Sequence, residues 1–525
     1  MNAKIRAALP GALLMLAGLV ICSLTALRGI QINDEGLMLQ AAARIAAGEV
    51  PYSDFWWYYP PGQPYLLGAL WKVFGPSLIE WRAVRVLADA SVAVLAWQLA
   101  RRYASPKLAL LAWAVALLAM AYPSGPHPFP IALALALGAL ICFDKRPVLA
   151  GVLAGLCAAW RLEFAAYLGI GILISYGVAP APFRRGGAAA RFLLAAAATA
   201  AAAFLPVAVA AGLRTTWDLL IKYPVKDFSA YQGLPLELIY SGPLNTASLS
   251  GFVSDSFENL LLFYLPVVLL LGFAGAALAL ILTFSRQRDY SLLALLTFSL
   301  GMAHYLIVRP DVFHTAPLAV CAAVIGVIAI SRSANHALEL GRAKAILIRA
   351  GALIAAASLA YALVEGLDRQ LLVLREPTIA LATPTANGVR AAPAVAVPLA
   401  AAVADVRSRT APEAPIYVIG QRADITTSGA PLFYILAERT NPTRYDIAAP
   451  GVVTSAPVQA EIIADLERAK PKLIVRWLSP LTAAPEPNLA GRSSGVRLLD
   501  RFIDANYVES SRYGDWVVLE ARAAN

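Results

Sequence analysis

The stretch Arg28 to Gly62, RGIQINDEGLMLQAAARIAAGEVPYSDFWWYYPPG, sets two adjacent carboxylates, Asp34 and Glu35, just past the first hydrophobic run of the chain. A third, Asp54, heads five consecutive aromatics, among them Tyr58 and Tyr59, ahead of Pro60, Pro61 and Gly62. A carboxylate held partly out of water at the mouth of a cavity can take a proton from an incoming nucleophile. The plainer reading of Asp34 is a helix cap. Asn33 or Asp34 would start a short interfacial helix with Leu37, Ala41 and Ile45 on one face, and Glu35 would favour its N-terminal dipole. The aromatic run likewise suits any membrane interface, but interfacial anchoring gives no reason for the Asp54 charge beside it.

The elements that must position these groups are membrane helices. The 525 residues are 59% hydrophobic and only 14% charged, whereas soluble domains are about a quarter charged. Hydrophobic runs cover 9–27, 79–100, 108–122, 129–143, 148–160, 164–177, 192–211, 260–284, 292–308, 315–330 and 345–364, which predicts about eleven spans. The net charge of +10 comes from short basic clusters between runs, a topology signal and not a nucleic-acid footprint. With the N-terminus in the cytoplasm, RRYASPK, DKRP, FRRGG, SRQRD and SRSANHALELGRAK all fall on the inner side, as the positive-inside rule requires. The outer side then receives 28–78, the segments YPSGPHP, RLE and RPDVFHT, the stretch 212–259 and everything after Glu365. Ionisable groups outside the basic clusters therefore gather at one face: Asp34, Glu35, Asp54, Arg82, Arg85, His127, Arg161, Glu163, Arg309, Asp311 and His314. The four cysteines lie far apart in hydrophobic runs, with no zinc-type spacing.

Past about Arg375 the composition changes. We expect a transmembrane unit over 1–367, a Pro/Ala-rich linker over 368–397 and a small extracytoplasmic α/β domain over 398–525. IYVIG, KLIVRW and DWVVLEA read as strands, and APLFYILAERT, VQAEIIADLERAK and GVRLLDRFIDANY as amphipathic helices. No Gly-rich nucleotide fingerprint is present.

NDEG after the first span, PYSDFWWYYPPG some twenty residues on, RLE at an outer rim and RPDVFH late in the bundle together resemble the GT-C class. More narrowly, they resemble the bacterial family of protein O-mannosyltransferase-like and lipid A aminoarabinose transferase-like enzymes. The resemblance implies many helices around an outward-facing cavity in the inner membrane. It also implies a sugar donor carried on polyprenyl phosphate, and a cell-envelope glycan, lipid or protein as acceptor. By the family pattern Asp34 matches the base on the acceptor hydroxyl, and Glu35 its neighbour. Some relatives complete a metal site with a second acidic pair in YPSGPHP, which this chain lacks. A divalent metal is left open, with Glu35, Asp54 and His127 as its candidates. A leaving lipid phosphate needs cations at the depth of the base, and Arg85, Arg161, Arg309 and His314 are predicted there. Glu163, Asp311, Asp54, Tyr58 and Tyr59 are the candidates for sugar or acceptor contacts. Each arginine alone could instead be snorkelling from a helix end.

Two other classes compete. A flippase or transporter of lipid-linked saccharides would place polar groups near the midplane on broken helices, whereas a transferase gathers them at one rim. A non-catalytic scaffold would leave the Asp34 and Arg309 regions without a common cavity.

Overall fold

The computed structural model describes residues 3–121, 128–178, 187–234, 248, 272, 290–310, 312–336 and 342–523. Helix α1 (Ala3–Ala26) leads into two shorter helices, α2 (Asp34–Ala46) and α3 (Gly62–Phe74). The bundle resumes with α4 (Leu78–Ala100), α5 (Pro106–Met120), α6 (Phe129–Cys142), α7 (Pro147–Trp160), α8 (Leu162–Val178) and α9 (Ala188–Ala211). A short α10 (Leu213–Trp217), a π-helical stretch Asp218–Asp227 and α11 (Phe228–Gln232) follow; α12 (Ser291–Val308), α13 (Val312–His336) and α14 (Arg342–Arg375) complete the helices of this part. Among the described residues 6 helices are long and apolar enough to cross a membrane, and α5 to α8 are apolar but shorter. The predicted run 260–284 lies outside the described residues.

Small residues set how closely these helices pack. Gly151 and Gly155 form a G-x-x-x-G spacing on α7 facing α9, where a Cβ on Gly155 would stand 2.6 Å from the Ala196 carbonyl oxygen. With no hydrophobic drive between helices in lipid, such backbone approach is what gains dispersion energy.

Two ends of the bundle are distinct. At one, Arg82 near the start of α4 donates to the Ala26 and Gly29 carbonyls after α1, at 2.7 and 2.8 Å. At the other, Tyr103 after α4 meets Ser291 at the start of α12, 2.5 Å between hydroxyls, and Arg332 of α13 lies over the Tyr103 ring. Two of the basic segments, RRYASPK and SRSANHALELGRAK, thus meet at one end of the bundle.

The last part of the chain folds over the opposite end. The segment expected as a linker holds the end of α14, a hairpin of β1 (Ile379–Ala380) with β2 (Arg390–Ala391), and the start of α15 (Pro393–Arg409). Beyond it come β3 (Tyr417–Ile419), α16 (Leu432–Ala437), α17 (Ala456–Ala469), β4 (Leu473–Trp477), α18 (Leu498–Asn506), β5 (Tyr507–Tyr513) and β6 (Trp516–Ala521). The sheet order is β3-β4-β6-β5, with β3 and β4 parallel and the other pairs antiparallel. The Trp477 and Trp516 rings stack at 5.3 Å across that register.

One hydrophobic core joins this domain to the loop after α1, expected on the outer side. Tyr52, Phe55 and Trp57 are buried with Leu432, Phe433, Val475 and Trp516. The aromatic run is thus core, not an anchor in the headgroups. The same packing corrects the interfacial reading of α2, which is buried on nearly all sides from Glu35 to Ile45. Arg44 of this helix is itself buried, with Nε 2.5 Å from Asp446 and Nη1 2.7 Å from Glu49. A Cβ on Gly36 would overlap the Leu432 backbone nitrogen, so glycine there lets α2 meet the start of α16. Across that contact Leu432 donates to the Ile32 carbonyl at 3.2 Å and Gly429 to the Asn33 Oδ1 at 2.9 Å.

Candidate active site

Asp34 opens α2, half-buried, with the Asn33 amide donating to its Oδ1 at 2.8 Å. The Asn33 side chain therefore links the acid to the C-terminal domain through Gly429. The next residue faces the other way. Glu35 is fully buried and takes a two-pronged bond from Arg82, at 2.8 and 2.9 Å. Both oxygens of Glu35, which the family pattern sets beside the base and among the metal candidates, pair with an arginine that ties α4 to the end of α1.

Tyr58 and Tyr59 lie against each other, ring centroids 4.1 Å apart, and the Tyr58 hydroxyl donates to the Tyr59 hydroxyl at 2.6 Å. The pair is walled by Tyr223 of the π-helical stretch and Phe228 of α11. Burial holds the Tyr59 phenol above its ordinary pKa. The Tyr58 bond, Arg161 and Arg309 work against that rise, and Asp34 adds to it. The acid of α2 and arginines from two other loops thus bear on a single hydroxyl.

Arg161 follows the last residue of α7 and sits amid aromatic faces: Tyr59 at 6.0 Å, Phe164 at 5.9 Å and Tyr305 at 5.0 Å from its guanidinium carbon. Glu163 pairs with it at 2.6 Å. Rings on several sides keep the guanidinium partly dry, which strengthens its attraction for an anion. His314, on α13, lies 4.6 Å from the Tyr305 ring. Arg309, just past α12, donates to the Gln232 carbonyl at 2.5 Å and to Glu486 of the outer domain at 2.8 and 3.3 Å.

Two predicted members stand apart. Arg85 is one turn deeper on α4, buried, 3.4 Å from Asp89 and 3.4 Å from the Met120 carbonyl. It serves the bundle interior, not the rim where a donor phosphate was expected to find it. Asp54 is exposed and closes a tight turn by accepting the Val50 N–H at 2.7 Å; it shares no described contact with the Tyr59 cluster. Asp311 and His127 lie outside the described residues. Among the described residues no group of three or more His, Cys, Asp or Glu could hold a metal ion.

Sequence reasoning missed Tyr305, Tyr223, Gln232 and Glu486. Tyr305 could have been found from its place in the last turn of the helix that ends just before Arg309. The APEPNLAG context of Glu486 carries no periodic signal.

Fold and site together define a polytopic helical membrane protein with an α/β domain closing over one rim of its bundle. Among solved structures, the same fold is seen in ArnT from Cupriavidus metallidurans, crystallised in the apo state. The likeness covers 98% of this chain and 98% of that one, with a TM-score of 0.52 at 14% sequence identity. No family model and no curated protein matches the chain.

Proposed function

We propose that the protein is an integral membrane glycosyltransferase of the GT-C type, moving a sugar from a polyprenyl-phosphate donor to a hydroxyl acceptor on the outer face of the membrane. The observation that carries this reading is the Arg161 guanidinium seated against the rings of Tyr59 and Tyr305, with Asp34 and Arg309 near enough to act electrostatically on the Tyr59 phenol and His314 against the Tyr305 ring. An acid facing cations from separate loops suits a displacement in which a proton leaves one side and a negative charge develops on the other. The ArnT-like fold supports the same class.

In this mechanism the Asp34 carboxylate takes the acceptor's hydroxyl proton as that oxygen bonds to the sugar's anomeric carbon. The bond from that carbon to the donor phosphate oxygen breaks, its electron pair leaves with the polyprenyl phosphate, and the configuration inverts. Arg161 and Arg309 stabilise the departing charge. Tyr58, Tyr59 and Glu163 line the space for sugar and acceptor. The N-terminus is cytoplasmic, and the outer domain lies on the far side of the inner membrane.

The test is transfer of radiolabelled sugar from polyprenyl-phosphate donors to envelope acceptors by the purified protein in lipid. Asp34→Asn is expected to abolish it. Transfer that survives the substitution overturns the role of Asp34, and movement of lipid-linked saccharide without a new glycosidic bond supports the flippase reading instead.

A further inference from the structure

The end of the bundle away from the candidate site holds a cleft of about 700 Å³ between α1 and α4, within the roughly 300–1,000 Å³ typical of small-molecule sites. Its floor is apolar: Ala8, Gly11 and Ala12 of α1 face Val94 and Trp97 of α4. The small α1 side chains create the space, since a Cβ on Gly11 would already touch the Trp97 ring at 3.5 Å. Along α4 the lining runs from Ser91 to Arg102, about 16 Å at the helical rise. That is close to the hydrocarbon depth of one leaflet, half of about 30 Å. Arg82, at the candidate-site end of the same helix, is about 28 Å from Arg101 by the same rise, so the two sites face different leaflets.

The rim is cationic. Arg101 and Arg102 are exposed there, and the Arg101 guanidinium is seated over the Trp97 ring at 4.4 Å. Arg102 donates to the Ile141 carbonyl and stands 4.0 Å from Asp144; the turn bearing that acid continues with Lys145 and Arg146, leaving the rim net positive. We propose that this cleft binds an anionic phospholipid, one acyl chain lying along Trp97 between α1 and α4 and the headgroup phosphate meeting Arg101 and Arg102. Basic sites between membrane helices select anionic lipid in this way. Because Arg101 is already held on Trp97, little side-chain entropy is lost on binding, which distinguishes this position from ordinary annular lipid.

Native mass spectrometry of the full chain in detergent, incubated with dioleoylphosphatidylglycerol or dioleoylphosphatidylcholine, tests the proposal. The glycerol lipid should be retained in preference. Each cation near a membrane surface is worth roughly fivefold in binding, so Arg101→Gln with Arg102→Gln should weaken retention roughly 25-fold, while Arg191→Gln leaves it unchanged. Ala12→Trp, at an exposed position, fills the trough and should displace the lipid without unfolding the protein. Equal retention of both lipids, or retention that survives either the double arginine variant or Ala12→Trp, overturns the proposal.

Discussion

Asp34 and Glu35 are neighbours with opposite surroundings, and their substitutions should separate accordingly. Asp34 is half-buried beside the tyrosine pair. Asp34→Asn keeps size and hydrogen bonding and removes only the basic oxygen, so the transfer rate should fall about 100-fold or more with the unfolding temperature unchanged. Glu35→Gln leaves Arg82 buried without a counter-charge, which costs about 3–5 kcal/mol. Its signature is a lower unfolding temperature, with activity lost only in proportion to folded protein. A variant Glu35→Gln of native stability but without turnover would return Glu35 to the chemistry. Tyr59 allows a pH test. Its pKa is raised above the ordinary value, so the neutral phenol persists to higher pH than in water. The hydroxyl is therefore a hydrogen-bonding group and not a titrating one below about pH 10. Tyr59→Phe should slow transfer by the same factor at every pH between 7 and 9; a factor that changes across that range shows Tyr59 ionising in turnover.

At the scale of elements, the position of Asp34 depends on how α2 docks. A methyl group on Gly36 would overlap the Leu432 backbone nitrogen, and neither backbone can yield as a flexible side chain does. Gly36→Ala should push α2 from α16 at a cost of about 1–3 kcal/mol. Limited proteolysis between 429 and 440 would report it, together with reduced transfer, because α2 carries Asp34, the base of the proposed mechanism. Unchanged cleavage would mean that the junction absorbs the methyl group. This junction was the least legible part of the sequence. The predicted runs within the described residues are helices, because long apolar segments in hydrocarbon have few other ways to satisfy their backbone. The strands IYVIG, KLIVRW and DWVVLEA are β3, β4 and β6 for a similar reason, being apolar β-branched runs bounded by turns. YVESSRY was not read as β5, since an edge strand with polar residues on its open side shows little hydrophobic pattern. The burial of α2 went unseen because its polar face is neutralised by partners some 400 positions away, as Arg44 is by Asp446. Within the site, Asp34, Arg161, Arg309 and His314 could be grouped by topology. Arg85 and Asp54 could not be separated from them, because depth within the bundle and local turn geometry lie below the resolution of a hydropathy reading.

Across the whole molecule, the outer domain is clasped to the bundle at the site itself. Glu486 reaches Arg309 at 2.8 Å. Asn488 donates both to Glu486 and to the Gly233 carbonyl at 2.8 Å, and Leu489 donates to the Ala230 carbonyl at 3.0 Å. The loop 486–489 is therefore stitched to the end of α11 and to the arginine assigned to the donor phosphate. A carboxylate on that arginine occupies the place and charge sense of an anion. In the proposed reaction a donor phosphate would then compete with Glu486, or displace it, before Arg309 could help the leaving group. Glu486→Gln preserves the shape of the clasp and removes the competing charge, so the apparent KM for donor should fall about threefold to tenfold, in line with a partly exposed ion pair worth roughly 1 kcal/mol. Amide exchange in 486–489 and in α11 should quicken at the same time, since both lose the charged bond that joins them. Were Glu486 needed to hold Arg309 toward the donor, the same substitution would raise KM, and Glu486→Asp would restore it. The direction of the KM change thus decides whether donor binding opens the clasp between the two parts of the chain or requires it closed.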